Sequence, residues 1–139
     1  MFKYVLDRVY TMSHISVFRT KIVNPNKQLV SQVMQALAQQ LNARLLINQS
    51  YRDKYVTVNA DYILVLPNGR AIGVNVGDVL KIVGDSYGWH SQYQQLQQQI
   101  VQTYVHFALL QQLQQMGYQL TNVQQLENGA IVGEVIKYG

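Results

Sequence analysis

Between Val56 and Leu66 the apolar residues Val56, Val58, Ala60, Tyr62, Leu64 and Leu66 alternate with Thr57, Asn59 and Asp61. Side chains of a strand point to opposite faces in turn, so a period of two reads as a half-buried β-strand. The run stops at Pro67-Asn68-Gly69. Proline presets φ and Asn-Gly accepts positive φ, which makes this a hairpin turn. Ala71 to Val76 then pairs back, and Gly77-Asp78 turns the chain again into Val79 to Val83. Ahead of them Ala43 to Gln49, ARLLINQ, is a short strand with the weakest pattern of the four. This middle third therefore dictates an antiparallel meander, and the rest of the chain must pack on it.

Two helical patterns flank the meander. Leu29, Val33, Leu37 and Leu41 recur every four residues, one apolar stripe of a helix. Asn24 is the expected N-cap, Pro25 the first helical residue and Asn42 a left-handed stop. The second helix is expected to open at Ser91, with Gln94 at capping-box spacing, and to bury Leu96, Ile100, Tyr104 and Phe107 before Gly117 ends it. Before the first helix, Ser13 to Ile22 reads as an inner strand, with Phe18 and Ile22 on one face and Ile15 and Val17 on the other. After the second, Tyr118 to Leu126 and Ala130 to Tyr138 form a hairpin across Glu127-Asn128-Gly129. The order β-α-β-β-β-β-α-β-β is satisfied most simply by an α+β two-layer sandwich. Its mainly antiparallel sheet carries both helices on one face, in an arrangement related to the ferredoxin-like class.

With 139 residues the expectation is one domain over 1–139. The absence of cysteine removes disulfides, thiolate metal sites and cysteine nucleophiles. Lys3, Asp7 and Arg8 interrupt the first residues, so no secretory leader is expected, and no apolar run reaches membrane-spanning length. A cytoplasmic protein without membrane contact is the reading. Charged residues make up only 13% of the chain, about half the usual share, and glutamine replaces them in Gln28 to Gln40 and Gln92 to Gln115. Glutamine favours helix and presents a polar face without repulsion, so helices of this kind can associate side by side. A homo-oligomer, or docking on a protein partner, follows as an expectation.

Several short motifs resemble a small uncharacterised family that contains chloroplast reading frame thirty-five and its cyanobacterial relatives. They are Met12-Ser13-His14 with Phe18-Arg19-Thr20 and Ile22, then Ile72-Gly73-Val74-Asn75 with Gly77-Asp78, then Asp85 and Gly88, and finally Tyr104 to Tyr118 with Gly117. Ser86 and Tyr87 stand where that family carries two tryptophans. The resemblance spans Met12 to Tyr138 and implies a domain of unknown function, with no catalytic residue to carry over. It also implies that residues 1–11 are an N-terminal extension, or the product of a misplaced start codon.

The stretch Gly84 to Gln95, GDSYGWHSQYQQ, gathers the most chemistry. His14, Asp85, Ser86 and His90 are its candidate catalytic residues, either as an acid-base group or with Ser86 at a G-x-S-x-G elbow. The elbow lacks an acid between Ser86 and His106, and it needs a parallel sheet. The structural alternative is a bend: Gly84 and Gly88 turn the chain, and Trp89 plugs the junction of sheet and helix. His14, His90 and His106 share no metal-ligand spacing, and no phosphate loop is present, so no metal and no cofactor is expected. Arg19, Lys21, Arg44, Arg52 and Lys54 are the candidates for nucleic-acid binding on a basic sheet face, with Tyr10, Tyr51, Tyr55 and Tyr138 as exposed aromatics. Three functions follow: a non-enzymatic self-associating or protein-interaction module, a nucleic-acid binder, or an enzyme of unknown class.

Overall fold

The computed structural model describes residues 15–125 and 131–137. Its elements are β1 (Ser16–Val23), α1 (Lys27–Leu41), β2 (Arg44–Arg52), β3 (Thr57–Val65), β4 (Ala71–Val76), β5 (Val79–Gly84), α2 (His90–Gln115), β6 (Tyr118–Gln125) and β7 (Ile131–Lys137). The order is the one the sequence pattern predicts. Among the described residues the main sheet has five strands in the order β1-β5-β4-β3-β2, and every neighbouring pair is antiparallel, so β1, expected as an inner strand, is instead an edge whose apolar Val17, Phe18 and Val23 stay exposed. Among the described residues β6 and β7 pair only with each other, as a separate two-stranded sheet.

Both helices lie on one face of the sheet. Val30, Val33, Met34 and Leu37 of α1 and Tyr93, Leu96, Ile100 and Tyr104 of α2 share one core with Tyr62, Leu64, Ile72, Val74, Leu80 and Ile82. These apolar faces leave water together, which is the main force holding the two layers. The stripe on α1 is broader than an i, i+4 row, because Val30 and Met34 join Leu29, Val33 and Leu37.

The long alternating strand does not keep one face. Val58 and Ala60 pack with Ile63, Val65 and Val83 on the side away from the helices, while Tyr62 and Leu64 face them. The change occurs at Asp61. Its N–H donates to Asn75 Oδ1 at 2.9 Å, and its Oδ2 accepts from Val76 N at 2.8 Å. Side chains thus replace a rung of the ladder, and Asn48, on the paired strand, takes φ 52°. Beyond this bend β3 curls over the second face, where Gly73 leaves the room. A Cβ at Gly73 would stand 2.8 Å from Ala60 Cβ and 2.9 Å from Val83 Cγ2. The single buried side expected for Val56 to Leu66 is therefore two half-faces, and the open sheet face is largely closed by the sheet itself.

Two caps also differ from expectation. Asn26, not Asn24, caps α1, with Oδ1 accepting from Leu29 N at 3.0 Å; Pro25 precedes the cap. Asn24 instead adopts φ 47° and donates its N–H to Asp78 O at 2.8 Å. No Ser91 capping box forms, because α2 starts one residue earlier and Trp89 holds the cap position without a side-chain bond. Asn42, at φ 54°, ends α1 as expected.

Candidate functional site

The polar corner between β5 and α2 is built around a residue that the sequence leaves unremarkable. Arg70 follows the Pro67-Asn68-Gly69 turn, where Gly69 takes φ 85° and Asn68 Oδ1 accepts from Arg70 N at 2.9 Å. Its guanidinium is buried and makes three hydrogen bonds, one from each nitrogen. Nε donates to Asp53 Oδ1 at 2.8 Å, NH1 to Tyr87 O at 2.7 Å and NH2 to Asp85 O at 3.0 Å, while Cζ lies 5.0 Å from the centroid of the Trp89 ring. Asp53, with no exposed surface, also accepts from Lys54 N at 2.7 Å and from Ala71 N at 3.4 Å. A buried charge is tolerated when it is paired and hydrogen-bonded, and here the ion pair is joined by bonds to two backbone carbonyls. One side chain thus ties the β2–β3 connection, the β3–β4 turn and the β5–α2 corner together.

The corner itself turns on Asp85 and Gly88. Asp85 Oδ1 accepts from Tyr87 N at 3.0 Å, an Asx turn, and Gly88 takes φ 84°. Trp89 is buried, and its Nε1 donates to Asp85 O at 2.6 Å. Trp89 therefore plugs the junction of sheet and helix, as the sequence suggests. Tyr93, one helical turn on, packs edge-on against Trp89 and sits over Gly84, where a Cβ would meet its ring at 2.9 Å. Two buried polar atoms make no protein hydrogen bond here, Asp85 Oδ2 and Tyr93 Oη. Burial pushes the Tyr93 hydroxyl up to about 12, with the polar groups of Ser16 and Gln97 offsetting part of that rise.

Among the catalytic candidates, Ser86 and His90 do meet. His90 Nδ1 lies 3.4 Å from Ser86 Oγ in an exposed position. Asp85 makes no hydrogen bond to that histidine: it is buried, its Oδ1 accepts from Tyr87 N and its Oδ2 has no protein partner. A serine nucleophile needs a base that is itself held by a third group, and the corner supplies two of the three parts. A strand precedes the motif and a helix follows it, as an elbow requires, but the sheet is antiparallel throughout. His14 lies outside the described residues. His106 is half-buried on α2 beside Phe107. Among the described residues no group of three or more His, Cys, Asp or Glu is placed to hold a metal.

The basic candidates separate. Arg19 and Lys21 lie on β1, one edge of the sheet, whereas Arg44 and Arg52 lie on β2, the other edge, with Lys54 just beyond it. Arg19 shares Asp78 at 3.4 Å. The face away from the helices is apolar where β3 folds over it, so these cations do not form one basic sheet face. Tyr51 is half-buried and donates its hydroxyl to Gly69 O at 2.8 Å. Tyr55 packs edge-on against Tyr87 at 5.3 Å. Tyr10 and Tyr138 fall outside the described residues.

Sequence reasoning passed over Arg70 and Asp53. No local signal marks them, because their partners come from three separate connections. The one hint was position: an arginine directly after an Asn-Gly turn is held in a fixed place.

A family model described as "Protein of unknown function (DUF1257)" matches residues 37–132, more than half of the chain. No curated protein and no solved structure matches it.

Proposed function

The chain belongs to the DUF1257 family of proteins of unknown function, and we propose that it is a non-enzymatic protein-interaction module that pairs with a second copy through α2. The observation that carries this reading is the second half of that helix. From Ser86 to Leu126 there is no Asp, Glu, Lys or Arg, so the 26 residues of α2 bear no formal side-chain charge apart from the histidines. Its buried residues end at Tyr104. Yet Val105, Leu109, Leu113 and Met116 follow at helical spacing, with Val105 46% and Met116 55% exposed. Interface centres are depleted of charge and enriched in apolar side chains, methionine among them. A two-fold interface sets each patch against its own copy, so a charge-free patch meets itself without repulsion. The interleaved glutamines supply donors and acceptors for the rim.

The similarity to the chloroplast and cyanobacterial reading frame thirty-five family belongs to the same reading, as does a single domain working in the cytoplasm. Size-exclusion chromatography with light scattering over a concentration series tests the pairing. The expected result is a dimer that dissociates on dilution, and a Val105→Glu/Met116→Glu variant that stays monomeric with an unchanged circular dichroism spectrum. A monomer at every concentration overturns the proposal. Filter binding to single-stranded RNA and duplex DNA at two salt concentrations is the second arm. Steep salt dependence there assigns function to Arg19, Lys21, Arg44, Arg52 and Lys54 instead.

A further inference from the structure

Among the described residues the sheet ends in two edge strands, β1 and β2. β1 pairs only with β5, and its outer side has no neighbouring strand among the described residues. The opposite edge, β2, is interrupted by Asn48 in the left-handed region. β1 leaves large apolar side chains in water, with Val17 57%, Phe18 46% and Val23 67% exposed. Edge strands are usually blunted because their unpaired N–H and C=O groups invite another strand. Here the blunting comes late. The pairing with β5 is regular from Ser16 to Arg19 and shifts only between Arg19 and Val23.

α2 overhangs the same margin. Phe18 on one side and Gln94, Gln97, Gln98, Val101 and Gln102 on the other line a groove between β1 and the first half of the helix. A strand laid beside Ser16–Arg19 would bond to its outward peptide groups. Every second side chain of that strand would enter the groove. Gln94 and Gln98 carry the same donor and acceptor pair as a peptide group, so this wall suits a backbone running past it.

Charge decides what the strand is. Arg19, which shares Asp78 at 3.4 Å, and Lys21 have the parity opposite to Phe18 and are exposed, on the face away from the helices. If β1 of a second copy were the occupant, two arginines and two lysines would share one short seam, and like charges on neighbouring strands are destabilising. We infer that the β1–α2 groove takes an extended segment of a different protein, apolar on the side facing α2 and acidic on the other. This surface is separate from the second half of α2, so it stands or falls apart from the self-pairing.

The test uses the peptide acetyl-Val-Glu-Val-Glu-Val-Glu-Val-amide and its Val-Lys counterpart, titrated into the full chain by fluorescence anisotropy and by amide NMR. The expected result is shifts confined to β1 and to Gln94–Gln102. The glutamate peptide is expected to bind about tenfold tighter than the lysine peptide, from two or three cross-strand charge pairs. Lys21→Glu is expected to reverse that preference without changing the fold, since the side chain is exposed. Phe18→Ala is expected to weaken both peptides. Equal affinity for the two peptides, or shifts elsewhere, overturns the inference. Shifts at β1 on raising protein concentration alone also overturn it, because they assign the edge to a second copy.

Discussion

The Arg70 guanidinium stands 2.8 Å from the Asp53 carboxylate, with Asp53 fully buried and the Arg70 side chain 9% exposed. Removing either partner strands a buried charge. Arg70→Met and Asp53→Asn are each expected to cost about 3–5 kcal/mol, read by urea denaturation. The double variant is expected to cost less than the sum, because it leaves no lone charge. Arg70→Lys is not expected to rescue. A point ammonium cannot reach Asp53, Asp85 O and Tyr87 O together, as the planar fork does.

Gly73 and Gly69 separate two reasons for glycine. At Gly73 a Cβ would meet Ala60 Cβ at 2.8 Å, Val83 Cγ2 at 2.9 Å and Val58 Cγ1 at 3.0 Å. All three belong to short side chains in the second core, so Gly73→Ala is expected to cost about 1–3 kcal/mol through overpacking. Gly69 has nothing within 4 Å but takes φ 85°. Gly69→Ala is expected to cost about 1–2 kcal/mol, from backbone strain alone. Restoring room beside Gly73→Ala with Val58→Ala should recover part of its loss and should do nothing for Gly69→Ala.

The Tyr93 hydroxyl gives a defined alkaline signature. Its folded value of about 12 exceeds the free value of 10.0, so the folded state keeps a proton that the unfolded state releases between those limits. Stability from this group is complete below pH 10 and declines as pH rises towards 12, by roughly 2–3 kcal/mol. Denaturation at pH 8 and pH 11.5 should show the wild type losing more stability than Tyr93→Phe. At pH 8 the variant is expected to stay within about 1 kcal/mol of wild type, because the buried hydroxyl makes no close hydrogen bond and is met only weakly by Ser16 and Gln97.

The Ser86–His90 contact is exposed and long at 3.4 Å. Ser86→Ala and His90→Ala are each expected to change stability by less than about 0.5 kcal/mol. Thermal melts of the two variants against wild type check this. A loss of several kcal/mol from either would mean that the pair, rather than Arg70, anchors the corner.

Local chemistry was legible in the sequence wherever the cause is local. The order of nine elements, the placement of both helices on one face and the left-handed stop at Asn42 follow from periodicity and turn residues acting over a few positions. The plug at Trp89 was legible for the same reason, since Gly88 and the start of α2 adjoin it. Asn26 was missed as the cap because Asn24, which also fits, is drawn off by Asp78 O, a partner from another loop.

Tertiary structure decided the rest. Parity along Val56 to Leu66 promises one buried side, but Asn75 and Val76 engage Asp61 and bend the strand, so Val58 and Tyr62 end on opposite faces. The Arg70–Asp53 pair joins connections far apart in sequence, and its strength arises only where burial lowers the dielectric around it. Alternation and capping are properties of neighbours along the chain. A buried ion pair, and a strand that turns over its own sheet, exist only once distant segments have excluded water from between them.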